Sequence, residues 1–121
     1  MVLVAVDDLL FSSKIRATAK QAGVDLTFAR SPAEIIEQAR ATKPSLVIFD
    51  LNSAKTDPIA TINTLKGDPA LAGIRTIGFA SHVHTDLINA ARRAGADQVL
   101  PRSAFAGNLA EILLSSESAR P

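Results

Sequence analysis

Short apolar runs alternate with segments of helical periodicity along the chain, and this alternation limits the fold more than any other feature. The five apolar runs are Val2–Val6, Val24–Ala29, Leu46–Phe49, Thr76–Ala80 and Gln98–Leu100. Continuous apolar runs are typical of central parallel strands, whereas alternating or short runs are typical of sheet edges. The second run alternates and the fifth is short, so these two are expected at the edges.

Helical patterns fill the gaps between the apolar runs, and most of them begin at a residue that is typical of a helix N-terminus. The predicted N-caps are Ser31, Asp57, Thr85 and Ser103. Strand and helix alternating at this spacing imply a parallel sheet with helices on both faces and right-handed crossovers. Five such units are too few for a closed eight-stranded barrel, so the sequence predicts an open, doubly wound α/β sheet.

Length and composition indicate one domain and exclude several kinds of function. We expect a single domain over residues 1–114 and a polar, frayed tail over 115–121. The absence of cysteine excludes disulfides, thiolate metal sites and cysteine nucleophiles. A formal net charge of +1 disfavours direct nucleic-acid binding. The first apolar run stops at Asp7, too soon for a signal peptide or a membrane span, so we expect a cytoplasmic protein.

Acidic residues follow two of the predicted central strands. Asp7 and Asp8 come after the first apolar run, and Asp50 comes directly after the third. Ligands of doubly wound sheets bind beyond the carboxyl ends of the strands, so neighbouring strands would bring three carboxylates together there. Clustered carboxylates raise one another's pKa, and a hard divalent cation such as Mg²⁺ relieves this. For Asp8 alone, capping of the first helix is the simpler interpretation.

The loop after the first strand lacks the device that would bind a nucleotide at this place. Residues 7–14, DDLLFSSK, contain no glycine, whereas phosphate-cradling loops depend on glycine. Binding of a dinucleotide or a nucleoside triphosphate is therefore disfavoured.

The motifs taken in order resemble the receiver domain of two-component response regulators, over nearly the whole chain. VLVAVDD resembles the first strand of that family with its acidic pair, and LVIFDL resembles its third strand with the phospho-accepting aspartate. AGAD resembles the signature that precedes the fifth strand of the family. Ala80 falls where the family has its switch hydroxyl, and Arg102 falls at its lysine position.

This resemblance implies a flavodoxin-like sheet with strand order 2-1-3-4-5 and phosphoryl transfer to Asp50. It implies Mg²⁺ as cofactor, held by Asp8, Asp50 and the backbone carbonyl of Asn52, with Asp7 acting mainly through a bound water. The implied partners are a sensor histidine kinase or phosphotransfer protein and a downstream protein, with no direct contact to nucleic acid or membrane. Such a domain is a phosphoacceptor in signalling and not an enzyme with turnover.

Several residues depart from the pattern of the family. Ala80 lacks the hydroxyl that would bond the phosphoryl oxygen, and Arg102 keeps the charge of the lysine without its geometry. Ser81 is adjacent to Ala80, and its hydroxyl helps only if the fourth strand has already ended there. The other departures are Ala54, Val99 and Ser103, in place of a proline, an aromatic residue and a proline.

His82 and His84 lie just past the fourth predicted strand. Histidines in loops are usually exposed and without a chemical role, and a metal site would need further ligands. His82 is nevertheless a candidate for tuning the hydrolysis of an acyl phosphate.

Three hypotheses follow from these residues. The first is an atypical, stand-alone receiver that is phosphorylated on Asp50. The second is a pseudo-receiver, which binds proteins without phosphorylation. The third and weakest is a small flavodoxin-like enzyme that uses the acidic site for hydrolysis. The acidic residues favour the first hypothesis, whereas Ala80 favours the second.

Overall fold

Five parallel strands form the centre of the computed structural model, which describes residues 1–118. The strands are β1 (Val2–Ala5), β2 (Leu26–Phe28), β3 (Leu46–Asp50), β4 (Arg75–Ala80) and β5 (Gln98–Pro101). The helices are α1 (Leu9–Ala22), α2 (Pro32–Thr42), α3 (Pro58–Gly67), α4 (Thr85–Ala94), α5 (Arg102–Gly107) and α6 (Leu109–Ser118). The order across the sheet is β2-β1-β3-β4-β5, so the predicted fold class and strand order are confirmed.

Two hydrophobic layers cover the two faces of the sheet. On one face, Ile35 of α2, Ile62 of α3 and Ala91 of α4 pack against the sheet. On the other face, α1, α5 and α6 pack against it through Ile15, Phe105 and Leu113 respectively. The central strands β1 and β3 are buried along their whole length, whereas β2 and β5 lie at the edges and are partly exposed, as predicted. Within residues 1–118, no helix is long and apolar enough to cross a membrane.

Some predicted helix ends are confirmed and others are wrong. Ser31 caps α2, because its hydroxyl accepts a hydrogen bond from the Glu34 amide at 3.1 Å. Asp57 occupies the capping position of α3, as predicted, but in a left-handed conformation with φ 42°, and its carboxylate makes no capping bond to the described residues. Thr85 is the first residue of α4 and not its cap, and the capping position belongs to His84.

The last predicted helix differs most from its expected form. Ser103 was predicted to cap it but lies inside the helix, which begins at Arg102 with Pro101 at the capping position. The helix is also divided into α5 and α6 at Asn108. The side-chain amide of Asn108 donates to the Ala104 carbonyl at 2.9 Å and so ends α5, while its own carbonyl accepts from Ile112 in the first turn of α6.

The end of the chain is helical for longer than expected. Helix α6 continues through Ser118, so residues 115–118 do not form an irregular tail. Ser116 is buried, and its hydroxyl donates to the Leu113 carbonyl at 2.7 Å. The remaining part of the predicted tail, residues 119–121, lies outside the described residues.

A glycine in β4 makes room for the residue that follows Asp50. Leu51 extends the pairing of β3 with β4, because its amide donates to the Phe79 carbonyl at 3.0 Å. The Leu51 side chain is buried against Gly78, and a Cβ at Gly78 would lie 2.9 Å from Leu51 Cδ2. Leu51 is able to pack in this position because Gly78 has no side chain.

Asp97, the last residue of the AGAD stretch, ties the amino ends of β4 and β5 together. Its Oδ2 accepts from Lys66 Nζ at 2.7 Å and from the Thr76 amide at 2.8 Å. Lys66 also donates to the carbonyls of Ala72 and Ile74. Burial alone would raise the pKa of Asp97, but the bonds from Lys66 and Thr76 outweigh it and lower that pKa.

Substitution of Gly78 should destabilise the fold and disturb the turn after Asp50. We expect Gly78→Ala to lower the free energy of unfolding by about 1–3 kcal/mol, since a buried leucine must move. Urea unfolding measures this change. Gly73→Ala is the matched control, because a Cβ there meets no atom within 4 Å. An equal effect of the two substitutions would contradict the role of the Gly78–Leu51 contact.

The network around Asp97 should make stability depend on pH. Its lowered pKa means that the unfolded chain binds the proton more tightly, so the stabilisation is complete above the ordinary value of 3.8 and is lost as the pH falls through the lower, folded value. We expect Asp97→Ala to cost about 1–3 kcal/mol at neutral pH, with a smaller difference from wild type in acid. Urea unfolding at several pH values tests this, and a difference that grows in acid would contradict it.

Candidate functional site

Asp50 is the last residue of β3, a central strand that pairs with β1 on one side and with β4 on the other. Asp50 is only 4% exposed. Oδ1 accepts a hydrogen bond from the amide of Asn52 at 3.0 Å, which closes a tight turn directly after the strand. The predicted position of a carboxylate at the end of a buried central strand is thus what the structure shows.

The surroundings of Asp50 raise its pKa above the ordinary value. Burial is the largest cause, because it disfavours the charged form. The amide of Asn52 and the charge of Arg102 oppose this in part, whereas the charges of Asp7 and Asp8 raise the pKa further. The carboxylates of Asp7 and Asp8 are therefore close enough to Asp50 to influence it.

Asp7 and Asp8 lie in the loop between β1, which ends at Ala5, and α1. Asp8 caps α1, because its Oδ1 accepts from the amides of Leu10 and Phe11 at 2.9 and 3.1 Å. The capping role considered for Asp8 from the sequence is confirmed.

The acidic residues do not form a preassembled metal cage. In the part of the chain that the structure describes, no group of three or more His, Asp or Glu side chains is placed to hold a metal ion. The ligand set of Asp7, Asp8, Asp50 and the Asn52 carbonyl stays a prediction. The donors present are oxygens, which suit Mg²⁺ in kind, and the raised pKa of Asp50 marks a place where positive charge would be stabilising.

Arg102 is the first residue of α5 and faces Asp50 across the site. Its Nη2 lies 3.7 Å from Asp50 Oδ1, which is an ion pair too long for a hydrogen bond. The guanidinium carbon lies 5.7 Å from the ring centre of Phe11 and 5.8 Å from that of Phe79. Its Nε is buried without a hydrogen-bond partner among the described residues. The aromatic rings thus hold a cation whose hydrogen bonds are only partly used.

Ala80 ends β4 and is fully buried, so the position expected to carry a switch hydroxyl presents a methyl group. Ser81 lies beyond the end of the strand, which is the condition under which its hydroxyl is able to reach the site. Ser81 and His82 line a cleft of about 500 Å³ together with Arg102. The cleft also includes Phe11, Pro101, Ser103 and Ala106.

His84 has a specific contact that sequence reasoning did not identify. Its Nδ1 lies 2.9 Å from Oδ1 of Asn52, so the loop after β4 is joined to the loop after β3. The position of His84 a few residues beyond a strand end was the available signal, but the pairing with Asn52 depends on how the loops meet in space.

Comparisons with known proteins support the fold. No family model matches the sequence, and no curated protein matches it. A signal receiver domain of a histidine kinase from Syntrophus aciditrophicus has a TM-score of 0.83 and 21% identity, over 98% of this chain and 89% of that one. The phosphorylated cyanobacterial phytochrome response regulator RcpA has a TM-score of 0.83 and 19% identity, over 99% and 95% of the two chains.

A metal-bound structure has the same architecture. The Mn²⁺-bound form of response regulator Rcp1 has a TM-score of 0.72 and 20% identity, over 97% of this chain and 91% of that one. At these identities the similarity establishes the receiver fold. The resemblance inferred from the motifs is confirmed at that level.

Removal of the charge on Asp50 should stabilise the fold at neutral pH. The folded chain holds the Asp50 proton more tightly than the unfolded chain, so wild-type stability falls as the pH rises from 3.8 through the higher, folded pKa. Asp50→Asn keeps an acceptor for the Asn52 amide but carries no charge, and we expect it to raise the Tm at neutral pH.

The gain in Tm should shrink as the pH falls and should vanish below 3.8, where Asp50 is protonated in both states. Asp25→Asn is the control, because it removes an exposed carboxylate before β2. A lower Tm for Asp50→Asn at neutral pH would show that ionised Asp50 stabilises the fold.

Proposed function

We propose that the protein is a receiver domain of a two-component phosphorelay that accepts a phosphoryl group on Asp50. The observation that carries this proposal is the buried carboxylate at the carboxyl end of β3, with Arg102 on one side and Asp7 and Asp8 at the same edge. Doubly wound sheets place their reactive groups at this edge. The fold supports the proposal, because it is that of receiver domains.

The proposed reaction is the transfer of a phosphoryl group from a phosphohistidine of a sensor kinase or phosphotransfer protein, or from a small phosphodonor. A carboxylate oxygen of Asp50 forms a bond to phosphorus while the bond from phosphorus to the donor nitrogen breaks; with a small donor such as acetyl phosphate, the bond that breaks is P–O and acetate leaves. The electron pair stays with the donor imidazole, which takes up a proton. Charge neutralisation and positioning supply most of the catalysis in such a transfer.

Mg²⁺ is the proposed cofactor, held by Asp8, Asp50 and the Asn52 carbonyl, with Asp7 acting through water. When bound, it would supply positive charge to the phosphoryl oxygens. Asp8 would then serve two purposes, since its Oδ1 already caps α1. The Rcp1 structure holds Mn²⁺, and this supports a divalent cation as the proposed cofactor.

Arg102 is proposed to contact the phosphoryl oxygens in place of a lysine. Its ion pair with Asp50 is long and its Nε lacks a partner within residues 1–118, so it has capacity to bind an added anion. Ser81 and His82 lie on the same cleft as Arg102. Ser81 is proposed as a displaced hydroxyl, and His82 as a group that tunes hydrolysis.

A partner that approaches Asp50 would meet an apolar surface at the start of α1. Leu9 and Leu10 are 73% and 87% exposed and directly follow Asp8. Exposed leucines beside a reactive carboxylate suit a protein donor, because their burial would stabilise the complex. This placement supports a kinase or phosphotransfer protein as partner.

The test is adduct formation in the presence of Mg²⁺. We expect acetyl phosphate to add one phosphoryl group per chain by intact mass, and fluoroberyllate to shift the backbone amide signals around Asp50. Asp50→Asn should lose both effects, because it removes the nucleophile. Asp25→Asn, which removes an exposed carboxylate before β2, should keep both.

The alternative is a pseudo-receiver that binds proteins without phosphorylation, which the buried methyl of Ala80 favours. Absence of an adduct and of any Mg²⁺-dependent shift in the wild type would support this alternative and overturn the proposal. Repeated turnover of a phosphate ester beyond one equivalent would instead indicate an enzyme.

A further inference from the structure

A short chain of hydrogen bonds leads from Asp50 to the first turn of α4. The amide of Asn52 donates to Asp50 Oδ1 at 3.0 Å, and Oδ1 of the same Asn52 lies 2.9 Å from Nδ1 of His84. With Nδ1 protonated, the imidazole donates to the amide oxygen. Asn52 therefore bonds the Asp50 carboxylate through its backbone amide and contacts His84 through its side chain.

His84 is also built into the start of α4. Its own amide donates to the Ser81 carbonyl at 2.9 Å, and its carbonyl accepts from the Ile88 amide at 3.2 Å in the first helical turn. A movement of the His84 imidazole is therefore coupled through one residue to the backbone that begins the helix.

Helix α4, which the His84 backbone begins, buries little of its surface. Ala91 is its only fully buried residue. A helix with so little buried surface moves at low cost, because few contacts must be broken. The fully buried Ala80, by contrast, has a methyl group where a hydroxyl would connect Asp50 to β4.

We propose that the Asn52–His84 bridge transmits a change at Asp50 to α4, in the place of the hydroxyl missing at Ala80. A modified Asp50 oxygen is a different acceptor for the Asn52 amide, so the turn reorients and the side chain of Asn52 moves relative to His84. His84 is thus a positioning residue that acts through Asn52. The inference rests on the proposed function for its physiological trigger, but the bridge itself is testable without phosphorylation.

The experiment compares amide chemical shifts in the ¹⁵N-labelled protein. Asp50→Asn removes the charge at Asp50, and we expect it to shift the amides of Thr85–Ala94 in the wild-type background. In the His84→Ala background the same substitution should lose most of these shifts. His84→Asn should restore them, because its side-chain nitrogen takes a position similar to Nδ1. Val83→Ala is the control, since Val83 is 67% exposed in the same loop and outside the bridge.

The outcomes are separable from those of the proposed function. Equal α4 shifts in the wild-type and His84→Ala backgrounds would overturn the bridge, because a purely electrostatic effect needs no contact. Absence of α4 shifts in the wild type would also overturn it. If fluoroberyllate fails to bind the wild type, the proposed function fails, while the Asp50→Asn comparison still decides the bridge.

If fluoroberyllate binds the wild type, the same amide shifts are measured in the His84→Ala variant with fluoroberyllate and Mg²⁺. His84→Ala should still take up fluoroberyllate with Mg²⁺, since His84 does not contact Asp50, but the shifts should stop short of α4. Loss of the adduct itself in His84→Ala would show that His84 holds the site together and would contradict a transmitting role.

Discussion

The buried carboxylate of Asp50 is the constraint to which the rest of the site responds. The residue is 4% exposed, and burial together with Asp7 and Asp8 raises its pKa. A charge in such a place needs compensation. The amide of Asn52, in the turn after β3, and the guanidinium of Arg102, at the start of α5, provide part of it.

This compensation explains features that lie farther from Asp50. Arg102, at the start of α5, lies over the rings of Phe11 and Phe79. The Phe79 ring stacks on both Phe11 and Phe105. Phe79 is fully buried in the core, and its ring also contacts the cation that faces the carboxylate. Core packing and site electrostatics are therefore produced by the same side chains.

The strands and the position of Asp50 were predictable because both follow from local pattern. A run such as Leu46–Phe49 has a single stable placement, buried on both faces, and the next residue must lie at the carboxyl edge of the sheet. The capping by Ser31 is likewise local, since donor and acceptor are three positions apart. The conformation of Asp57, which lacks a capping bond among the described residues, was beyond such reasoning because it depends on the loop around it.

The contacts that sequence reasoning missed join residues far apart in the chain. Lys66 and Asp97 are 31 positions apart, and Asn52 and His84 are 32 positions apart. Periodicity carries no information about such pairs, because it reports the face of an element and not its neighbour. Gly78 is similar, since its need for space comes from Leu51 on the adjacent strand.

The receiver fold and the chemistry of the site lead to one remaining issue, which is how a change at Asp50 would be sensed. A conformational switch requires an interaction that differs between its two states. The methyl of Ala80 is buried and cannot hydrogen-bond a phosphoryl oxygen, so β4 offers no such interaction at that position. Asn52 does, because its amide bonds Asp50 directly and its side chain bonds His84. The proposed acceptance of a phosphoryl group and the proposed response to it share Asn52, whereas His84 belongs to the response alone, so substitution of His84 tests the response separately.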